Sequence, residues 1–503
     1  MQFGQMGILG PPCPVIQLCK GKIMQDQTSA SGQTAGWGDL FAGKNAIRSL
    51  TLVGGVALHA INVFIATTIL PTVVADIGGM DYYAWNTALF VTASILGSAL
   101  VPRLLSQAGP RSAYLLAAII FAAGTLACGL APSMPVMLAG RSVQGLGGGM
   151  MLALSYAMIR IVFPENLWPR AIGLVSGMWG VATLVGPAIG GIFAELGIWR
   201  AAFWSLAPVI GIFAIMAMVV LPRASGDAGS RAPLAWPQLI LLTAAVLAVS
   251  AASISVNAVM NAAGVALAIV LLVLLFVIER NSSRRILPKG SFSLRRLGAL
   301  YLTLAFLSAS VTSAEVFVPL FFQVLHNQSP LVAGYLAAIM GGSWTLGSIG
   351  SSGVSSGRVD RVIIAAPLMG IAGMATLATL VPVGSDGQWA SLLPICLALA
   401  VIGFGVGMTW PHLLTRIFKR ADADDQNLAS ASVTTVQLFT TALGAALAGM
   451  VANMAGLSNP GGFAGTANAA MWLFSGFAIM SALAFLSALA LVRSARQPQV
   501  ASC

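Results

Sequence analysis

Fourteen apolar stretches recur along this 503-residue chain. When they are threaded back and forth across a plane, 23 of the 25 Lys and Arg residues fall on one side. A helix rising 1.5 Å per residue needs about 20 apolar residues to cross about 30 Å of hydrocarbon. By that measure the spans lie near 50–73, 84–105, 111–130, 134–159, 170–193, 201–221, 235–255, 262–279, 297–323, 330–352, 361–382, 389–415, 428–455 and 470–492. With the first residue inside, inner segments hold Lys20, Lys22, Lys44 and Arg48 at the start, six basic residues at 280–296, and Arg493 and Arg496 at the end. Only Arg200 is in an outer loop, and only Arg141 is within a span. Excess Lys and Arg marks the cytoplasmic side. The pattern predicts an all-α polytopic membrane protein with 14 transmembrane helices and both termini cytoplasmic; an odd number of spans would scramble the alternation.

Composition agrees. The chain is 58% hydrophobic and 8% charged, against about 25% charged in a soluble domain. Its net charge of +11 is spread over short loops rather than one face, so no nucleic-acid partner is expected; the partners are the lipid bilayer and a solute. Five cysteines have no metal-ligand spacing, and Cys128 and Cys396 read as inert thiols within spans. No metal, no cofactor and no enzymatic activity are expected, and no Gly-x-x-x-x-Gly-Lys-Ser/Thr nucleotide loop occurs. Residues 1–48 lack a signal-peptide pattern, since Pro11, Pro12 and Pro14 break their apolar run. They read as a flexible cytoplasmic tail, or as the result of a start codon placed too far upstream.

The chain also echoes itself. Gly145-Leu-Gly-Gly-Gly-Met150 in the fourth span matches Gly403-Phe-Gly-Val-Gly-Met408 in the twelfth, and Leu96-Gly97-Ser98 matches Leu346-Gly347-Ser348, at offsets of 258 and 250 residues. Pro71 and Pro319 are 248 apart. Such echoes predict two six-helix halves, 49–222 and 297–492, around a two-helix insert and basic cytoplasmic loop at 223–296, with a C-terminal tail at 493–503.

Three motifs sharpen the reading. Arg141 is followed by Gln144, Gly145, Gly147 and Gly149; a cation inside a span is costly unless partnered or wet, and the glycines admit a close neighbour. Gly186, Pro187, Gly190 and Gly191 combine a backbone kink with a smooth packing seam. Trp199-Arg200 opens the sixth span. In these residues the chain resembles the major facilitator superfamily, specifically its fourteen-helix drug:proton antiporter branch, over roughly 50–492. The Arg-x-x-Gln-Gly-x-Gly, Gly-Pro-x-x-Gly-Gly and Trp-Arg signatures of that family all match, and Ile69-Leu-Pro-Thr and Pro319-Leu-Phe-Phe-Gln323 resemble its span ends. The resemblance implies proton-coupled export by alternating access, with the first, fourth, ninth and twelfth spans lining a cavity. Two departures stand out. Asn62 replaces the usual Asp nine residues before Pro71, and the inner loop keeps Gly109 and Arg111 but has Ser106 and Gln107 for the usual acid and Arg.

Of the 14 acids, only Glu315 lies deep within a span. A buried acid is costly and marks function more often than structure. Glu315 and Arg141 are each about five residues from mid-span, placing both roughly 7 Å outward of the midplane at 1.5 Å per residue. They are therefore expected to face one aqueous cavity, near enough to couple protons. His59 is the second proton candidate, three residues before Asn62 on the same face; a neutral imidazole bonded to a neighbouring helix is an equal reading. Asn62, Phe64, Gln144, Phe322 and Trp410 are the candidate cavity residues, and Gly145, Gly147, Gly149, Gly186, Pro187, Gly190, Gly191, Gly109 and Arg111 the candidate gating and packing residues. The expected function is export of hydrophobic or cationic organic compounds through the cell inner membrane, by a monomer. Two readings stay open: a lipid or glycolipid exporter or solute importer of the same fold, and a transport-inactive sensor or scaffold.

Overall fold

The structure, a computed structural model, describes residues 38–222 and 234–496. Most of the expected N-terminal tail, the segment 223–233 at the start of the expected insert, and the last seven residues lie outside them. The described residues form helices α1 (Lys44–Ile77), α2 (Trp85–Gly129), α3 (Met134–Val162), α4 (Trp168–Glu195), α5 (Trp199–Trp204), α6 (Leu206–Val220) and α7 (Trp236–Ser253). There follow α8 (Ala258–Asn281), α9 (Ala299–Leu325), α10 (Pro330–Ser351), α11 (Val359–Leu380), α12 (Trp389–Arg420), α13 (Gln426–Met454) and α14 (Gly462–Arg496), with no strand among the described residues. Helix ends outrun the apolar stretches. Helix α1 starts at Lys44 rather than near 50, and α14 covers Gly462–Arg496 rather than 470–492, because a helix continues past the hydrocarbon with polar side chains such as Asn45 and Arg48. The sixth expected span is split at Ser205, where Pro208 has no amide to donate to the Trp204 carbonyl.

Thirteen helical segments among the described residues are long and apolar enough to cross a membrane. One of them holds two expected spans. The backbone of α2 leaves the helix at Gly109, with φ 74 and ψ 170, a conformation open to Gly at little cost. Pro110 follows, suited to a first helical position because it needs no amide partner. On one limb Phe90 and Ser94 meet Gly145 and Gly149 of α3, both numbers rising together; on the other Phe121, Gly124 and Cys128 meet Gly147, Gln144 and Gly140, in reverse order. The limbs therefore run antiparallel along the same helix.

Glycine makes these contacts possible. A Cβ on Gly145, Gly149 or Gly97 would collide with the carbonyl oxygens of Phe90, Ser94 and Leu146 respectively. The later half repeats this arrangement: a Cβ on Gly403, Gly407 or Gly347 would strike the carbonyl oxygens of Met340, Trp344 and Phe404. The internal echoes in the sequence are thus one packing device built twice, between α2 and α3 and between α10 and α12.

A second seam joins the two. Along α4, Gly180, Thr183, Pro187 and Gly191 meet Thr345, Gly341, Gly334 and Leu331 of α10, an antiparallel crossing of small residues. The other face of α4 packs on α1, where Gly186 meets the Phe64 Cβ and Gly190 meets Ile65. Helix α13 lies on α2 at Gly449 and Ala84. Asn453 donates to the carbonyls of Asp81 (2.8 Å) and Ser253 (2.9 Å), and Trp85 Nε1 to that of Ser250 (3.0 Å), which fastens α7 between them. Large apolar side chains stand exposed on the outer faces of α6 and α8, Val219 at 78% for example, as lipid-facing surfaces require.

Overpacking a close-packed position costs about 1–3 kcal/mol. Gly149→Ala and Gly407→Ala should each lower the thermal unfolding midpoint in detergent, whereas Gly211→Ala, whose added Cβ meets nothing within 4 Å, should not.

Candidate functional site

Arg141 is buried in α3, 1% exposed, and its partners are all neutral. Its Nε donates to the Asn86 carbonyl at 3.3 Å, its Nη1 donates to Gln144 Oε1, and its guanidinium lies 4.1 Å from the Phe90 ring centroid. Because a guanidinium only donates, Gln144 must turn its oxygen to Arg141. Its amide nitrogen then donates to Asn62 Oδ1 and Thr125 Oγ1, each at 2.9 Å. Asn62 in turn must present its oxygen to Gln144, so its Nδ2 is left buried without a partner. One cation thus orients two amides on two helices.

Other buried atoms near this cluster are also unpaired. Neither side-chain atom of Asn86 has a partner. Asn86 was not among the expected site residues; two residues into a span and beside Trp85, it reads as a membrane-interface residue. His59 Nδ1 has no hydrogen bond. Its ring lies 5.2 Å from Phe90 and 5.9 Å from Trp179, and a Cβ on Gly148 would stand 2.9 Å from Nδ1.

Glu315 is elsewhere, in the interior of α9. It is part-exposed while Ala314 and Val316 on either side are buried. Ser308, seven residues earlier on the same face, has an unpartnered hydroxyl. No ion pair joins Glu315 to Arg141: among the described residues the ion pairs are Arg200–Asp76 and Arg416–Asp360, both 2.6 Å. The contacts of Arg141 are instead with Asn86 and Phe90 of α2 and with Gln144 of its own helix.

The remaining expected residues divide. Phe64 is wedged between Gly186 and Gly341. Trp410 packs on Trp344 at 5.1 Å and remains part-exposed, while Phe322 is buried against His326 at 5.9 Å. Arg111 is half-buried just past the Gly109 turn. In that turn region Ser106 Oγ bonds the Arg103 carbonyl, whereas the counterpart loop keeps a true ion pair, Asp360 with Arg416. His326 and His412 bond Ser385 Oγ (2.9 Å) and the Ser351 carbonyl (3.1 Å). Asp76, near the Leu-Pro run, accepts from Trp199 Nε1 (3.1 Å) and Arg200 Nη1, so two separate sequence motifs form one cluster at the helix ends.

The chain is similar to known membrane transporters. The family model of the Major Facilitator Superfamily matches residues 52–243 and 238–445. A probable multidrug-efflux transporter of Mycobacterium tuberculosis is 37% identical over 469 residues, covering 90% of this chain and 96% of the relative. Multidrug resistance protein 3 of Bacillus subtilis is 24% identical over 410 residues, 80% of this chain and 78% of its own. Among solved structures, a POT family transporter aligns with TM-score 0.64 at 14% identity, over 89% of this chain and 96% of its own. A D-xylose-proton symporter aligns with TM-score 0.59 at 16% identity, over 89% and 97%. These two are similar in fold.

Gln144→Leu would strip Arg141 of its side-chain acceptor and leave Asn62 and Thr125 without their donor. Breaking a buried charge's contacts costs about 3–5 kcal/mol, so this variant should unfold well below wild type on heating, while Ser142→Ala, which loses only a bond to its own helix at Leu138, should not.

Proposed function

The chain belongs to the Major Facilitator Superfamily, in its drug-efflux branch, and from that premise we propose that it exports hydrophobic organic compounds across the cell inner membrane in exchange for protons. Glu315 carries the proposal. It is the one acid among the described residues lying in the interior of a spanning helix, and it has neither a hydrogen bond nor an ion pair. A charged carboxylate without a partner at that depth is costly, and a bound proton removes the charge. Such a group can be loaded from one side and discharged to the other.

Counting the two limbs of α2 separately gives fourteen crossings, which returns both termini to the basic, cytoplasmic side. The six-helix halves are then 49–222 and 297–492, and the repeated glycine packing supports that division. They meet along α4–α10, from Gly180 and Thr345 near mid-helix to Gly191 and Leu331 at the outer end, and again toward the outer ends at Ala84–Gly449 and Tyr83–Phe317. A transporter clamped there loads from the cytoplasm. Rocking about the Gly186–Gly191 seam would open the other mouth, with Arg141 and its amides holding one cavity wall and Glu315 the opposite one. The lipid-exporter reading is favoured by one observation: an apolar groove of about 270 Å³ between α1, α4 and α6, walled by Gly54, Ile61, Val185 and Phe213.

Dye efflux driven by an imposed pH gradient should occur in vesicles bearing the wild type and fall to background with Glu315→Gln. Normal gradient-driven export by that variant would remove Glu315 from the proton path.

A further inference from the structure

The cluster around Arg141 holds more donors than acceptors. Its one cation has no acid within ion-pairing distance among the described residues. Nη2 of Arg141 makes no hydrogen bond, and Asn62 Nδ2 and Asn86 Nδ2 are buried donors without partners, against one unpaired amide oxygen, Asn86 Oδ1. The orientation of Asn62 and Gln144 is not free to relax. Turning Asn62 would set two amide nitrogens face to face, and turning Gln144 would set its nitrogen against a guanidinium. The Phe90 ring covers one face of Arg141, so a further acceptor would meet the guanidinium at its edge. A buried charge without an opposite charge is costly, and so are unpaired buried donors. A single ligand group relieves both costs: an anion with at least two acceptor oxygens.

We propose that this cluster is a carboxylate receptor, and that the exported solute is an amphipathic organic acid whose carboxylate docks on Arg141, Asn62 and Asn86. The inference rests on the transport reading above and narrows its cargo, turning the preference away from the cations that a lone Glu315 would admit. Beside the donors, Phe90, His59 and Trp179 form a run of rings with centroids 5.2 and 5.9 Å apart, a wall suited to an aromatic body. A carboxylate bound in the guanidinium plane would engage the edge that carries the unbonded Nη2.

The test is equilibrium binding to the purified full chain, read as energy transfer from tryptophan to a matched pair of probes, pyrenebutyrate and pyrenebutylamine. The wild type is expected to bind the acid about tenfold more tightly than the amine, a gap of about 1.4 kcal/mol. Asn62→Asp replaces the free N–H with a carboxylate oxygen and is expected to abolish or reverse that ratio. Equal binding of the two probes by the wild type, tighter binding of the amine, binding of neither, or an unchanged ratio in Asn62→Asp would each overturn the proposal. The wild-type ratio stands even if the variant fails to fold. Binding needs no pH gradient, so loss of gradient-driven export alongside a preserved acid preference would count against the transport reading alone.

Discussion

Inside a bilayer, helices gain nothing by hiding apolar surface from water, because the surrounding tails are equally apolar. What holds them is how closely their backbones approach. In this chain that approach is set by glycines whose missing side chains are occupied by carbonyl groups of the next helix: Phe90 and Ser94 against Gly145 and Gly149, Met340 and Trp344 against Gly403 and Gly407. The same contact, used twice, makes each half a stiff unit. The seam between halves is different in kind. Glycines and threonines of α4 and α10 meet there without a shared carbonyl network, so the halves touch closely but are not locked.

The stiffness matters to the polar cluster. Arg141, Gln144 and Asn62 lie on two helices held at fixed separation by their glycines, with Asn86 on a third. The hydrogen-bond directions then follow from one unalterable donor. Asn62 in place of a carboxylate leaves the group with a net positive charge, and the acid that answers it, Glu315, is in the other half, on α9. Charge is thus divided between the two halves of the chain.

Much of this was readable from residue order. Helix positions follow from the length of apolar runs, and the repeated packing from small residues in matching order. Glu315 and Arg141 could be singled out because charge within a span is rare. What order could not supply was adjacency. That Gly191 meets Leu331, or that Asp76 joins Trp199 and Arg200, depends on which helices become neighbours. Asn86 has no local signal at all, since its importance comes from the carbonyl it offers to Arg141 and from the partners its side chain lacks. The distance between Arg141 and Glu315 depends on how the halves are posed, which depth along a helix does not specify.

Glu195, at the end of α4, accepts from the backbone amide of Leu331 at the start of α10 at 3.3 Å. This is a long bond in an exposed place, and it is flanked by contacts between small side chains. The nearby Asp76–Arg200 pair, by comparison, is short and confined to one half. Parting the helices here would leave the short pair intact within its own half and give up the long bond, together with the Asn453 bond to the Asp81 carbonyl, to water. The closure is therefore held by shape far more than by charge, and salt should do little to prise it open.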